Sequence, residues 1–235
     1  MTDERQSVEA LILAAGRGER LGLGPKALLV LGGRTLLDRA IEVVQSVAGR
    51  VLVGVPEDCV EQVRASVAES VVVLAGGPTR METFLRLFRA STAPLLVQHD
   101  VVHPFATPDL ARRVVAAAEK AGAAMAVAPV AEHVFRGEGR VVAERIAGGE
   151  ALWLARKPLA FRRSSLARVL DGSLRVPGDA GTVELLLAAG QTVETVAVEP
   201  WDIKITTQAD WTLALALEAI VPHPSERGCD EGRRR

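Results

Sequence analysis

The chain contains no tyrosine, and aromatic residues make up only 3% of it. Few rings are left to stack unpaired bases, which counts against a single-strand nucleic-acid binder. There is no excess of either charge. The 29 acidic and 28 basic residues are mixed along the chain, and a net charge of −1 offers no broad field for nucleic acid or anionic lipid. Any anionic partner must be gripped locally. The two cysteines, Cys59 and Cys229, make neither a disulfide framework nor a zinc site and read as plain thiols. No apolar run reaches the roughly 18 residues that a membrane helix needs. The N-terminal stretch MTDERQSVEA has acids and no apolar segment, so it does not read as a secretory signal, and the cytoplasm is the expected location.

What is present is aliphatic. Hydrophobic residues, chiefly Ala, Val and Leu, make up 49% of 235 residues, enough for one large domain and too many for wholesale disorder. Short apolar runs at 8–15, 50–56, 70–76, 94–99, 123–130 and 192–199 read as strands. They alternate with segments of helical period, which implies a mostly parallel central sheet with helices on both faces. Residues 35–47 put Leu37, Ala40, Ile41 and Val44 on one face, and 107–121 do the same with Leu110, Val114, Val115 and Ala118. A helix over 79–90 follows the third strand. Residues 131–152 interrupt the alternation with two short runs around glycines, as a β-hairpin arm protruding from the sheet would. Asp210 to Val221 reads as a closing helix. The domain is therefore expected over 1–222, and 223–235, polar and rich in helix breakers, as a mobile tail.

The first strand leads into LILAAGRGERLGLGPK, residues 11–26. A glycine-rich turn after a buried strand exposes backbone N–H groups, and its natural guest is a phosphate chain. Gly16, Gly18 and Gly22 miss the spacing of the dinucleotide fingerprint, which disfavours a dehydrogenase. Pro25-Lys26-Ala27 lacks the hydroxyl residue that a P-loop places after its lysine. The carboxyl ends of the third and fourth strands lead into AGGPTR and HDVVHP, so a site is expected where these ends meet the first loop.

The pattern A-A-G-x-G-x-R-[LM]-x-x-x-P-K is met by Ala14, Ala15, Gly16, Gly18, Arg20, Leu21, Pro25 and Lys26. It resembles the signature of nucleotidyltransferases that activate sugar and polyol phosphates. Further blocks follow in order. Gly76-Gly77-Pro78-Thr79-Arg80-Met81-Glu82-Thr83 matches G-G-x-x-R-x-x-S with threonine for serine, and Asp100 to Pro104 matches D-A-A-R-P. A D-x-A-x-x-V-E segment is visible around Asp179 and Glu184, and Asp202 to Thr206 matches N-[IV]-K-[IV]-T. Together the blocks resemble the 2-C-methyl-D-erythritol 4-phosphate cytidylyltransferase family of the non-mevalonate isoprenoid pathway, over nearly the whole chain to about residue 220.

The resemblance implies a single Rossmann-like α/β domain, a homodimer with the arm as dimerisation element, and substrates CTP and a polyol phosphate. The acceptor phosphate attacks the α-phosphorus of CTP and pyrophosphate leaves, so two anions must be brought into line and cations are needed from several sides. Arg20 and Lys26 would hold the triphosphate, and Lys204, in an alternation that keeps it on one face with Asp202 and Thr206, would reach the α-phosphate. Ala14, Ala15, Gly16, Gly18, Gly76, Arg80 and Thr83 would bind the nucleotide. Asp100 would hold Mg²⁺, which shares phosphate oxygens and keeps several waters. The same cations read from composition alone are snorkelling surface side chains, and Arg80 and Thr83 exposed residues of their helix. Arg17 matches no required position and reads as solvated.

The acceptor side departs from the family. His103 stands for the arginine of D-A-A-R-P, Glu132-His133-Val134-Phe135 loses a threonine and a lysine, and Lys157-Pro158-Leu159 stands for T-P-Q. His103, His133, Arg145, Lys157 and Asp179 are the acceptor-binding candidates, although RKPLAFRR is also a basic run of the kind that usually forms a solvated face. Transfer to another polyol phosphate such as ribitol 5-phosphate, and a homologue without turnover, remain alternatives. Retention of Lys26, Asp100 and Lys204 counts against the latter.

Overall fold

Every residue of VEALIL, the strand β1 (Val8–Leu13), is buried, as a strand covered on both faces must be. A computed structural model of the chain describes residues 7–146, 152–167 and 180–221. After β1 come a two-residue pair β2 (Val30–Leu31) and β3 (Arg34–Thr35), helix α1 (Leu36–Gln45), β4 (Arg50–Val55) and α2 (Val60–Ser66). Then follow β5 (Val71–Ala75), α3 (Arg80–Ala90), β6 (Leu95–Asp100), α4 (Pro108–Ala121) and β7 (Ala123–Pro129). The hairpin β8 (Phe135–Glu138) and β9 (Val141–Arg145) precedes β10 (Trp153–Arg162), α5 (Thr182–Ala188), β11 (Glu194–Ala197) and α6 (Gln208–Glu218).

Seven strands form the central sheet in the order β11-β7-β10-β6-β1-β4-β5. Neighbours are parallel except where β10 runs antiparallel between β6 and β7. The pleat of β1 sorts its side chains into two cores. Val8, Ala10 and Ile12 pack with Leu37, Ile41 and Val44 of α1 and Leu110 and Val114 of α4. Leu11 and Leu13 pack with Phe84 and Leu87 of α3 and Leu185 and Leu186 of α5. The predicted parallel sheet with helices on both faces is the one observed. Helix starts fall at their chemical signals: Thr35 caps α1 with Asp38, Thr79 caps α3 with Glu82 and Thr207 caps α6 with Asp210, each a reciprocal capping box.

One strand contradicts the sequence reading. RKPLAFRR is not a solvated face: Leu159, Ala160 and Phe161 are fully buried in β10, in the middle of the sheet. The flanking cations mask it, since Arg162 reaches the Glu119 carbonyl and Arg163 the Phe88 carbonyl at the strand's end. A second surprise is Glu9, a buried acid inside β1, whose carboxylate accepts from Thr92 N–H and Ala93 N–H and pairs with Arg50. Burial acts to raise its pKa, but those donors outweigh it and the carboxyl lies below its usual range.

The expected arm is present as β8 and β9, antiparallel to each other, exposed throughout and apart from the central sheet. Residues 223–235, expected as a tail, lie outside the described residues. Among the described residues no helix is long and apolar enough to cross a membrane.

Candidate active site

The first loop closes on itself. Leu21 N–H and Gly22 N–H donate to the Gly18 carbonyl at 2.8 and 2.9 Å, and Lys26 N–H donates to the Gly16 carbonyl at 3.2 Å. Gly18 has φ +70°, and a Cβ there would stand 2.3 Å from the Gly24 carbonyl oxygen, so only glycine closes the ring. The buried Leu21 side chain anchors it from below. The second glycine turn packs against the first: a Cβ on Gly76 would meet the Ala15 Cβ at 2.5 Å. Thr83 holds that turn, accepting from Gly77 N–H at 3.0 Å and donating to the Thr79 carbonyl at 3.0 Å. Its added methyl occupies the space beside Gly54, where a Cβ would lie 2.7 Å away. Thr83 is thus buried and supportive, and not an exposed helix residue.

These loops and the ends of β1, β5 and β6 enclose a cavity of about 750 Å³. Ala15, Gly16, Gly18, Arg20, Lys26, Gly76, Arg80, Thr83, Asp100 and Lys204 all line it, so residues 26, 100 and 204 converge as expected. Lys26 donates to the Ile205 carbonyl at 3.0 Å, which ties the first loop to the segment bearing Lys204. Burial pushes the Lys26 ammonium below its usual range, and the neighbouring charges of Arg20 and Lys204 push the same way. Three cations held this close together are the electrostatic condition of an anion site.

Asp100 ends β6 with Oδ2 accepting from Arg80 Nη2 at 2.9 Å. Burial acts to raise its pKa, yet Lys157 and Arg80 hold the carboxyl well below the usual range. Lys157 is itself pushed down to about 8 by burial, against the pull of Asp100. With its amide oriented to satisfy both ends, Gln98 donates to Thr182 Oγ1 at 2.7 Å and accepts from Arg80 at 3.0 Å and from Lys157 at 3.3 Å. Asp100 Oδ1 is buried and accepts no hydrogen bond. An ionised carboxylate with one unpartnered oxygen at a cavity wall suits Mg²⁺, which takes one or two carboxylates and completes its shell with water and phosphate. No cluster of three His, Cys, Asp or Glu able to hold a metal occurs among the described residues.

Several expected residues stand elsewhere. Ala14 is buried behind the wall, its N–H bonded to the Gly54 carbonyl. Residues 202–206 are irregular and not a strand. Asp202 is buried while Lys204 is exposed, so the two do not share a face. His103 does not face the cavity: it is buried with Nδ1 3.7 Å from the Asp202 carboxylate. Lys157 is buried beneath Asp100 and is not on the wall. His133 and Arg145 bond each other at 3.0 Å on the exposed arm, away from the lining residues. Asp179 lies outside the described residues.

Other groups were not foreseen. Arg86, six residues after Arg80 on α3, lines the cavity and donates to the Gly76 carbonyl at 2.9 Å. The spacing 80, 83, 86 keeps all three on one side of the helix and is the signal that points to it. Arg17, read as solvated, lines the cavity and makes a two-pronged bridge to Asp58, both contacts at 3.1 Å. His99 has no sequence signal. It is fully buried, neither ring nitrogen makes a hydrogen bond of ordinary geometry among the described residues, and burial, then His103, drives its pKa to about 3, so it stays neutral.

Comparison with known proteins agrees with this geometry. The family "IspD: 2-C-methyl-D-erythritol 4-phosphate cytidylyltransferase" matches residues 8–221. The enzyme of that name from Thermus thermophilus is 37% identical over 217 residues, covering 91% of this chain and 98% of its own. That of Deinococcus radiodurans is 35% identical over 216 residues, covering 90% of each. The crystal structure of the Thermus thermophilus enzyme superposes with a TM-score of 0.73 at 34% identity, over 90% of this chain and 98% of that one. A glycine loop, a cation triad and a strand-end aspartate in this arrangement, matched along almost the whole length, leave one conclusion: the chain belongs to the 2-C-methyl-D-erythritol 4-phosphate cytidylyltransferase family.

Proposed function

We propose that the protein transfers the cytidylyl group of CTP to 2-C-methyl-D-erythritol 4-phosphate, giving the CDP-polyol and pyrophosphate in isoprenoid precursor synthesis. The observation that carries this reading is the convergence of Arg20, Lys26, Arg80, Asp100 and Lys204 on one cavity. An acceptor phosphate oxygen forms the new bond to the α-phosphorus, the bond from that phosphorus to the bridging oxygen breaks, and pyrophosphate takes the electron pair. A phosphate monoester with a second pKa of about 6 is already ionised near neutrality, so the attack needs no general base.

The residues of the chain then act by position and charge. Amides of the first loop, with Arg20 and Lys26, hold the triphosphate and the pyrophosphate that forms from it. Lys204 lies across the cavity, joined to Lys26 through the Ile205 carbonyl, and meets charge growing at the α-phosphate. The second glycine turn, supported by Thr83, holds the nucleoside. Asp100 would hold Mg²⁺, which supplies neutralisation of the phosphate oxygens when bound. Lys157, buried behind the wall beside Asp100, acts on the acceptor phosphate at a distance, through its charge and without touching it.

The functional unit is a homodimer. Phe135, Val141 and Val142 on the arm and Trp153 and Leu154 at the start of β10 are exposed large apolar side chains, and a partner that covers them supports this reading. The reaction belongs in the cytoplasm, because both substrates are multiply charged and do not cross a membrane unaided. The test is pyrophosphate release from CTP and Mg²⁺ with methylerythritol phosphate, and separately with ribitol 5-phosphate. Release with the first alone is expected. Release with ribitol 5-phosphate alone would move the protein to that acceptor, and release with neither would remove the assignment.

A further inference from the structure

We propose that Arg17 is an additional cation for the triphosphate tail, stored on Asp58 in the nucleotide-free protein and transferred to the phosphates when CTP arrives. The inference rests on CTP occupying the cavity described above. Arg17 sits between Gly16 and Gly18 in the loop whose amides face the nucleotide, and it lines the same cavity as Arg20 and Lys26. Its guanidinium is engaged at both prongs by Asp58, a carboxylate just beyond β4. A planar fork that grips a carboxylate with two bonds grips a phosphate the same way.

The pair is built to be exchanged. Its side chains are 57% and 61% exposed, so water and salt screen the bond and little desolvation holds it. The backbone around it is fixed, with Gly18 and Gly16 carbonyls bonded within the loop, so that only the side chain need swing. Asp58 above all favours its cationic form and competes with the triphosphate for it. Apart from Arg17, Asp58 receives a weak side-chain contact from Cys59. If the bridge instead served to shape the loop, removing either partner would weaken nucleotide binding. Under storage the two removals act in opposite directions.

The experiment is calorimetric titration of the full chain with CTP and with CMP at low salt. Arg17→Ala should weaken CTP binding about fivefold and leave CMP unchanged. Asp58→Asn should tighten CTP binding about threefold by freeing the arginine, and the double variant should match Arg17→Ala. Weaker CTP binding by Asp58→Asn would overturn storage in favour of a structural bridge. Equal losses for CMP and CTP in Arg17→Ala would overturn a contact with the tail. Absence of CTP binding by the unaltered protein would overturn both this inference and the occupancy on which it rests.

Discussion

Lys157 holds a charge in a setting that opposes it. Burial brings its pKa down to about 8, so it is an ammonium below that pH and a neutral amine above it. If it serves the acceptor phosphate, the KM for that acceptor should rise as pH climbs through 8 while the KM for CTP stays level. Lys157→Arg, which keeps its charge at every accessible pH, should remove that limb, and Lys157→Met should raise the acceptor KM about tenfold even at pH 7. Steady-state kinetics from pH 6.5 to 9.5 settle the matter. At this scale the sequence reads unevenly. Lys26, Asp100 and Lys204 sit in motifs whose chemistry demands them, and all three reach the cavity. Lys157, His99 and Gln98 owe their character to being buried together, and burial of a polar residue inside a strand leaves no periodic mark.

Elements with a clear apolar period were legible: β1, α1, α3, α4 and α6 stand within a few residues of where the sequence puts them. β10 was not, because Arg156, Lys157, Arg162 and Arg163 bracket its buried Leu-Ala-Phe and Pro158 interrupts the alternation. Its weight is testable: Phe161 is fully buried and packs on Phe84 at a ring separation of 6.3 Å, so Phe161→Ala should cost about 4 kcal/mol in denaturant unfolding. β1 carries a pH-dependent term through Glu9. Its folded pKa is depressed, so its stabilisation is complete above the unfolded value and is lost as pH falls through the folded one. Glu9→Gln should therefore flatten the acid limb of the stability curve below pH ~4.5. In the first loop, Gly18→Ala must hold a strained φ of +70° or displace Gly24, so CTP binding should weaken and the melting temperature should fall by about 2–4 °C.

Among the described residues one seven-stranded sheet gathers the site at its strand ends, with the short β2–β3 pair and the β8–β9 arm as separate two-stranded sheets. Mixed charges and a net −1 leave the cavity's cations as a local concentration, so CTP binding should weaken with salt far more than stability does. If the exposed Phe135, Val141 and Val142 seat a second copy, as proposed, Phe135→Asp with Val141→Asp should sediment as a monomer where the unaltered protein sediments as a dimer, and should raise the acceptor KM. The central claim is that ammonium groups at opposite ends of the chain, Lys26 and Lys204, act on one phosphate chain. Its most direct test is single-turnover pyrophosphate release by Lys204→Ala under saturating CTP and acceptor. A rate lower by about a hundredfold or more, with CTP affinity changed less than about threefold, is the predicted result. An unchanged single-turnover rate would contradict it.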